Sequence, residues 1–274
     1  MSEKKNPSNA RELLLRLALA YDGDWDAMHR AIREKDPDIS EYPDPTPEDM
    51  RGWRPITIVD PDYPTGLTSN CPRPPFVIWV KGPASTLSQE NLLVCGQLSG
   101  GRANPAVGAF IDDLGKSGFP AMILWREKSN DESSHARMVL EAYEKALMPV
   151  SVFLPASAAD PEGIADRALA TGGVAVTEKC PWTKRHMDPG AARIPAAICG
   201  AALVLGGKSH DATAVDASVA ASIVKNSNVG ALAREVGDPE GAVCRLFAKE
   251  GADLIDTVED LSALMQWKGE HGQE

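Results

Sequence analysis

The sequence predicts an α/β protein: a Rossmann-like parallel sheet sandwiched by helices, with a small helical appendage at the N-terminus. From about residue 91, short apolar runs alternate with helix-length segments, and this alternation is typical of parallel strands covered on both faces. Glycines follow several of these runs, at the sheet edge where such folds bind ligands. Hydrophobic residues make up 43% and charged residues 24% of the chain, as in an ordinary globular protein.

Residues 1–52 are predicted to form a small helical domain. Asn9 and Glu12 have the spacing of a capping box before an apolar helical pattern. A second helix is expected from Asp24, and Thr46 before a proline indicates a third helix start. Helices this short are not stable alone, so we expect them to dock on the neighbouring domain.

Residues 53–90 are predicted to form an extended connector, which is rich in proline. Two bulky or β-branched runs, Ile56–Val59 and Phe76–Val80, are expected to be strands. The prolines between them fix backbone angles and remove donors, so the connector should be ordered.

Residues 91–267 are predicted to form the Rossmann-like domain, followed by a tail, 268–274. A further short strand is expected to include Ala231–Val236, and the segment 241–267 is expected to be mostly helical. The predicted strands are Leu92–Cys95, Ala121–Trp125, Val150–Leu154, Gly173–Thr177 and Ala201–Leu205. The predicted helices are 104–116, 132–147, 161–171, 190–199 and 211–225.

The net charge of −11 is unevenly distributed. Residues 1–50 carry twelve acids and seven bases, a net −5, and residues 235–274 carry ten acids and three bases, a net −7. The segment 179–208 has five bases against one acid, a net +4. The overall charge opposes long-range attraction of nucleic acid, whereas this basic segment could hold a few phosphates or could be solvated surface.

The chain is expected to stay in the cytoplasm. No apolar run approaches the length needed to span a bilayer, and the charged N-terminus lacks the apolar core of a secretory signal. Five scattered cysteines without a CxxC pair argue against a disulfide framework and against a zinc site. We therefore expect a reducing compartment, structural thiols and no metal.

Three loops at the predicted carboxyl ends of strands indicate a groove for an anionic ligand, because glycines let backbone amides approach an anion. The loops comprise Gly96–Arg102, Arg126–Asp131 and Gly206–Asp211. The predicted DNA- or phosphate-binding residues are Gly96, Gly100, Gly101, Arg102, Lys184, Arg185, Arg193, Gly206, Gly207, Lys208 and Ser209.

Two familiar nucleotide sites do not fit these loops. A P-loop ending at Lys208 and Ser209 would need glycine where Ala202 stands, and Leu98 interrupts the dinucleotide fingerprint. His135 and His210 have no nucleophile or carboxylate at a recognisable spacing, so they are expected to be surface or helix-terminal residues. We therefore predict no catalytic residue, no cofactor and no enzyme activity.

The chain resembles the DNA-processing protein A family (DprA, also called Smf) over roughly residues 56–262. That family's Asp-x-x-Tyr-Pro-x-x-Leu run is matched by Asp60, Tyr63, Pro64 and Leu67, followed by Pro74-Pro75 and a strand ending in Lys81-Gly82. The segments 151–178 and 241–252 are similar to the family's later strand–helix–strand and Gly-Ala elements.

The resemblance implies a Rossmann-like fold shared with the cytokinin-activating LOG proteins. It also implies single-stranded DNA binding, loading of a RecA-type recombinase during DNA uptake or recombination, and a homodimer. The family's Gly-Ser-Arg becomes Gly96-Gln97-Leu98, its second loop becomes Arg126–Asp131 without the glycines, and only Arg193 remains of its arginine-rich stretch. Arg193 could therefore bind phosphate or form a structural ion pair, and Trp182 could stack on a base or be buried.

Three hypotheses follow. The chain binds single-stranded DNA as a recombination mediator; or its altered loops sense a small nucleotide-derived ligand; or it is a scaffold protein with a vestigial groove. A LOG-type hydrolase is weaker, because only Gly206-Gly207 match that family's motif.

Overall fold

We describe the fold from a computed structural model. It covers residues 7–35, 50, 52–96, 105–125, 134–154, 163–181, 192–207, 220, 228–236 and 241–271. The strands are β1 (Arg54–Thr57), β2 (Val77–Lys81), β3 (Leu92–Cys95), β4 (Ala121–Leu124), β5 (Val150–Phe153), β6 (Ala175–Thr177), β7 (Ala201–Val204), β8 (Val229–Leu232) and β9 (Asp253–Ile255). The helices of this part of the chain are α1 (Pro7–Tyr21), α2 (Trp25–Glu34), α3 (Thr65–Asn70), α4 (Pro105–Lys116), α5 (His135–Ala146), α6 (Ile164–Ala170), α7 (Arg193–Ile198), α8 (Ala233–Val236), α9 (Ala242–Lys249) and α10 (Val258–His271).

The nine strands form one sheet in the order β1-β2-β6-β5-β4-β3-β7-β8-β9. Pairing is parallel from β6 to β9, whereas β1 and β2 add an antiparallel edge next to β6. The chain moves outward in one direction from β3 to β6 and then returns to the other side of β3 with β7. This reversal is the topological switch point of a doubly wound sheet. The predicted α/β class is confirmed.

The main core consists of the parallel strands and the helices packed on them. Strands β5 and β7 are buried along their whole length. The sequence of β7 is accordingly a continuous apolar run, and that of β5 is interrupted only by Ser151. Helices α4 and α5 approach closely, since a Cβ at Gly115 would lie 2.9 Å from the carbonyl oxygen of Ala142. Glycine is therefore needed at that crossing.

The N-terminal helices form a second core against β2. Successive side chains of a strand point to opposite faces, and β2 uses both: Ile78 and Val80 enter the main core, while Val77 and Trp79 enter the second one. Leu17 and Met28 of the helices cover that second face. The appendage is therefore docked on the sheet, as the short helices required.

Polar contacts fix the position of this helical unit. The guanidinium of Arg11 donates to the carboxylate of Asp60 at 3.1 Å. The carboxylate of Asp22 accepts from the backbone amide of Cys180 at 3.2 Å. A Cβ at Gly23 would lie 2.5 Å from the carbonyl oxygen of Glu178. The turn between α1 and α2 therefore rests on the residues that follow β6.

The family-like run in the connector has a structural role. Asp60 accepts from the amide of Thr57 at 2.8 Å, Tyr63 donates its hydroxyl to the carbonyl of Pro75 at 2.6 Å, and Leu67 is fully buried. These contacts hold the connector between β1 and β2. Burial raises the pKa of the Tyr63 hydroxyl well above its ordinary value.

The structure corrects several predicted elements. Helix α1 begins at Pro7, so Asn9 lies inside the helix rather than capping it, whereas Asp24 caps α2 by accepting from the amide of Ala27 at 3.0 Å. The connector strands belong to the main sheet. The strand expected at 231–236 ends at Leu232 and continues as α8.

The C-terminal segment is not wholly helical, because β9 pairs with β8 between two helices. Its residues Asp253 and Leu254 are exposed and only Ile255 is buried, so the strand leaves little apolar pattern to detect. The helices predicted to start at Thr46 and at residue 211 lie outside the described residues.

Two buried thiols should make the protein less stable in alkaline solution. Burial raises the pKa of Cys180 and of Cys244 from 9.0 to about 12. Between these values the unfolded chain loses thiol protons that the folded chain keeps. The free energy of unfolding then falls as the pH rises from about 9 to about 12.

Thermal melts at pH values between about 8 and 10.5 test this expectation. Wild-type protein should lose melting temperature across the range, and the double variant Cys180→Ala/Cys244→Ala should lose less. A steeper decline in the double variant would contradict the assignment.

Candidate nucleic-acid interface at the switch point

The switch point lies between β3 and β7, whose carboxyl ends are followed by Gly96 and Gly206. The amide of Leu205 donates to the carbonyl of Cys95 at 2.9 Å, so the two chains remain side by side beyond the strands. A Cβ at Gly96 would lie 2.6 Å from the carbonyl oxygen of Gly206. Two glycines that are distant in sequence therefore meet here.

The backbone conformation also favours glycine at all three positions of this turn region. The φ angles of Gly96 and Gly206 are +122° and +152°, and that of Gly207 is +141°, a region that side chains disfavour. Within the described chain, none of these three glycines donates its amide to a backbone acceptor outside the strand ladders. Gly96 is half-buried, and Gly206 and Gly207 are buried. Backbone amides of successive glycines at such a turn can form an anion-binding nest.

Helix α9 begins at the same edge. The carbonyl of Gly207 accepts from the amide of Val243 at 3.1 Å, in the first turn of that helix. The thiol of Cys244 contacts the carbonyl of Val204 at 3.5 Å. These contacts bind the end of β7 to the positive end of α9, which favours a negatively charged ligand nearby.

Arg193, predicted to bind phosphate or to form an ion pair, forms an ion pair. It opens α7, and its guanidinium contacts the carboxylate of Glu178, with side chains 12% and 10% exposed respectively. Its Nε also donates to the carbonyl of Arg73 at 3.3 Å. These contacts favour the structural role of Arg193.

Two other ionisable side chains lie near this ion pair. The side chains of Tyr63 and Cys71 lie close enough to Glu178 and Arg193 for these two charges to affect their pKa values. Burial is the main cause that raises the pKa of the Cys71 thiol, and hydrogen bonding from Arg193 opposes it. The pair thus links β6, the connector and α7 at one edge of the sheet.

The remaining predicted residues are divided by what the structure describes. His135 is the first residue of α5 and is buried, so the helix-terminal prediction is confirmed and the surface prediction is wrong. Predicted residues outside the described part of the chain are Gly100, Gly101, Arg102, Arg126–Asp131, Trp182, Lys184, Arg185, Lys208, Ser209 and His210.

One cation at this edge was not predicted from sequence. Arg234, in α8 directly after β8, donates to the carbonyl of Ala106 in the first turn of α4 at 2.8 Å. It also donates to the carbonyl of Asp256 at 3.1 Å. Arg234 lies at the carboxyl edge because β8 ends at Leu232. The sequence predicted a strand through residue 236, so this position could not be recognised.

Across the described residues, no three His, Cys, Asp or Glu side chains are grouped as metal ligands would be. None of the helices described is both long and apolar enough to cross a membrane.

Comparisons with solved structures identify the fold. The chain is similar to the crystal structure of DNA processing protein A (DprA) from Streptococcus pneumoniae, with a TM-score of 0.64 and 15% identity, over 93% of this chain and 92% of that chain. It is also similar to DprA from Helicobacter pylori, a protein with a single-stranded DNA binding mode, with a TM-score of 0.57 and 14% identity, over 78% of this chain and 96% of that chain.

Sequence comparisons gave no match: no family model and no curated protein matches the chain. The resemblance indicated by the sequence motifs is therefore confirmed by structure, at the level of the fold. The chain has the DprA fold over nearly its whole length.

Substituting Gly96 should disrupt the switch point. In Gly96→Ala the new Cβ would meet the backbone of Gly206 and would sit at a disfavoured φ, which we expect to cost about 1–3 kcal/mol or more of stability. The matched control is Gly118→Ala, because Gly118 has φ +86° but nothing within 4 Å of its Cβ position. Equal denaturant midpoints for the two variants would contradict the close approach.

Breaking the buried ion pair should destabilise the protein more than removing it. Glu178→Gln leaves the guanidinium of Arg193 without its carboxylate, which typically costs about 3–5 kcal/mol. The double variant Glu178→Gln/Arg193→Met should recover part of that loss. Urea unfolding of Glu178→Gln, Arg193→Met and the double variant measures the coupling between the two residues, and additive losses would show that they act independently.

Proposed function

We propose that this chain is a DprA-like DNA-processing protein that binds single-stranded DNA and is not an enzyme. The observation that supports the proposal best is the meeting of Gly96 and Gly206 at the switch point of a DprA fold. Ligands of doubly wound sheets bind at this position. A phosphodiester backbone is an anion that glycine amides and a helix N-terminus can hold.

Electrostatics limits how such a site binds DNA. The chain carries a net charge of −11, so long-range attraction is weak and binding depends on local cations. Arg193 is committed to Glu178, which leaves Lys184, Arg185 and Lys208 of the basic segment and Arg102 as candidate phosphate contacts. We expect weak, salt-sensitive affinity rather than tight binding.

The proposal extends to a biological role. A protein that coats single-stranded DNA in the cytoplasm can deliver it to a RecA-type recombinase, so we propose a recombination mediator that acts in DNA uptake or recombination as a homodimer. A strand-exchange assay with a recombinase and a single-strand-binding protein tests this role, and sedimentation tests the dimer. Binding without stimulation of strand exchange would retain the DNA site and reject the mediator role.

A second candidate is a sensor of a nucleotide-derived small ligand. The occupied guanidinium of Arg193 supports it, because one cation expected to face a DNA backbone is already neutralised. A small anion needs fewer phosphate contacts than a polynucleotide. Thermal shift against a nucleotide panel distinguishes the candidates, since only the sensor should be stabilised by mononucleotides.

DNA binding should weaken linearly on a log–log plot as salt increases. Titrating a labelled oligothymidylate at several salt concentrations should give a negative slope of about 0.7 per phosphate contact. Lys208→Ala should reduce the slope by about one contact, because its cation is predicted to contact phosphate. Lys116→Ala, which alters an exposed cation at the far end of α4, is the control. No binding at low salt would reject the proposal.

A further inference from the structure

Three aromatic rings are stacked where α2 meets the connector. The rings of Trp25 and His29 lie 4.8 Å apart with an interplanar angle of 9°. The ring of Phe76 lies 5.8 Å from that of Trp25, with an angle of 8°. The guanidinium of Arg73 lies 5.3 Å from the Trp25 centroid, within the range of a cation–π contact. We name these four residues the aromatic stack.

The stack is partly open to solvent. His29 and Arg73 are exposed, whereas Trp25 and Phe76 are half-buried. Trp25 is fixed in place because its indole Nε1 donates to the carbonyl of Pro74 at 3.1 Å. The column therefore has a rigid base and an exposed imidazole.

Docking of the helical unit does not require His29. The second core is built from Leu17, Met28 and their neighbours against β2, and the polar contacts of Arg11 and Asp22 complete the attachment. His29 belongs to neither set. Its side chain is exposed, and its ring stacks on that of Trp25.

The stack lies at the same edge as the glycine site. Strand β2 is antiparallel to β6, with Trp79 opposite Thr177, so Phe76 and Arg73 precede β2 at the carboxyl edge. The carbonyl of Arg73 accepts from Arg193, whose partner Glu178 directly follows β6. From β3 to β6 are three strand spacings, roughly 15 Å in total.

We infer that the aromatic stack is a platform for an unpaired nucleobase, extending the DNA path from the switch point to the helical unit. This inference rests on the proposed function. Aromatic rings bind successive bases of single strands by stacking, without sequence preference. The guanidinium of Arg73 is paired with the carboxylate of Asp26 at 3.1 Å, so stacking rather than charge supplies the affinity of the platform. A ligand that reaches both places must be polymeric, because a mononucleotide cannot span the distance between β3 and the stack.

The test uses the full chain and a labelled oligothymidylate of about 16 nucleotides, the upper site size of single-strand-binding folds. His29→Ala should bind roughly five- to a hundred-fold more weakly than wild type, as expected for loss of one base stack. His29→Phe keeps a flat ring and should bind like wild type. Lys116→Ala, at the opposite edge of the sheet, should also be unaffected.

Oligonucleotides with abasic sites separate stacking from charge. Replacing the bases near one end by abasic residues should weaken binding to wild type but should cause little further loss in His29→Ala, since the two changes remove the same contact. Circular dichroism melts of each variant check that the fold is intact.

The outcomes are distinct. If wild type binds and His29→Ala binds equally well, the platform is rejected and the DNA site at the glycines stands. If His29→Phe is as weak as His29→Ala, or if abasic sites weaken both proteins equally, stacking is rejected. If wild type binds no oligonucleotide at low salt, the proposed function fails and the platform fails with it.

Discussion

The parallel pairing of β3 with β7 is the constraint on which the site depends. These strands are far apart in sequence, and their register places Cys95 opposite Val204, so the segments that leave them must share one narrow space. Glycine is the residue that fits, because a Cβ at Gly96 would collide with the backbone of Gly206. The same close approach that excludes side chains brings together glycine amides, the groups from which an anion-binding nest is built.

The ion pair of Glu178 and Arg193 organises the other half of the edge. It joins the end of β6 to the start of α7 and, through the carbonyl of Arg73, to the connector. An arginine that resembles a DNA-binding residue by its position in the sequence thus holds together the surface on which DNA is proposed to lie. A cation can serve a binding site by fixing its walls as well as by contacting the ligand.

Much of the fold could be predicted because its strands are buried on both sides. The run at β7 is apolar throughout and marks its strand without ambiguity, whereas β9 exposes Leu254 and buries only Ile255. The sheet order was beyond reach of the sequence, since nothing in Val77–Lys81 shows that β2 runs antiparallel beside β6.

The candidate site was predictable only in part. Glycines that follow apolar strands mark a ligand edge by themselves, and Gly96 and Gly206 were found in this way. The role of Arg193 depends on its contact with Glu178, which is fifteen positions away in the sequence. No spacing rule connects residues at that separation. The aromatic stack was not predicted, because Trp25, His29 and Phe76 come together only when α2 docks.

The burial of Val77 and Trp79 beneath α1 and α2 has a consequence for how this architecture can change. In a modular protein an N-terminal unit can be deleted or exchanged without harm to its neighbour. Here deletion would uncover an apolar face of a sheet whose outer strands already present edges, a combination that promotes aggregation. The helical unit and the sheet therefore cannot be deleted or exchanged independently of each other.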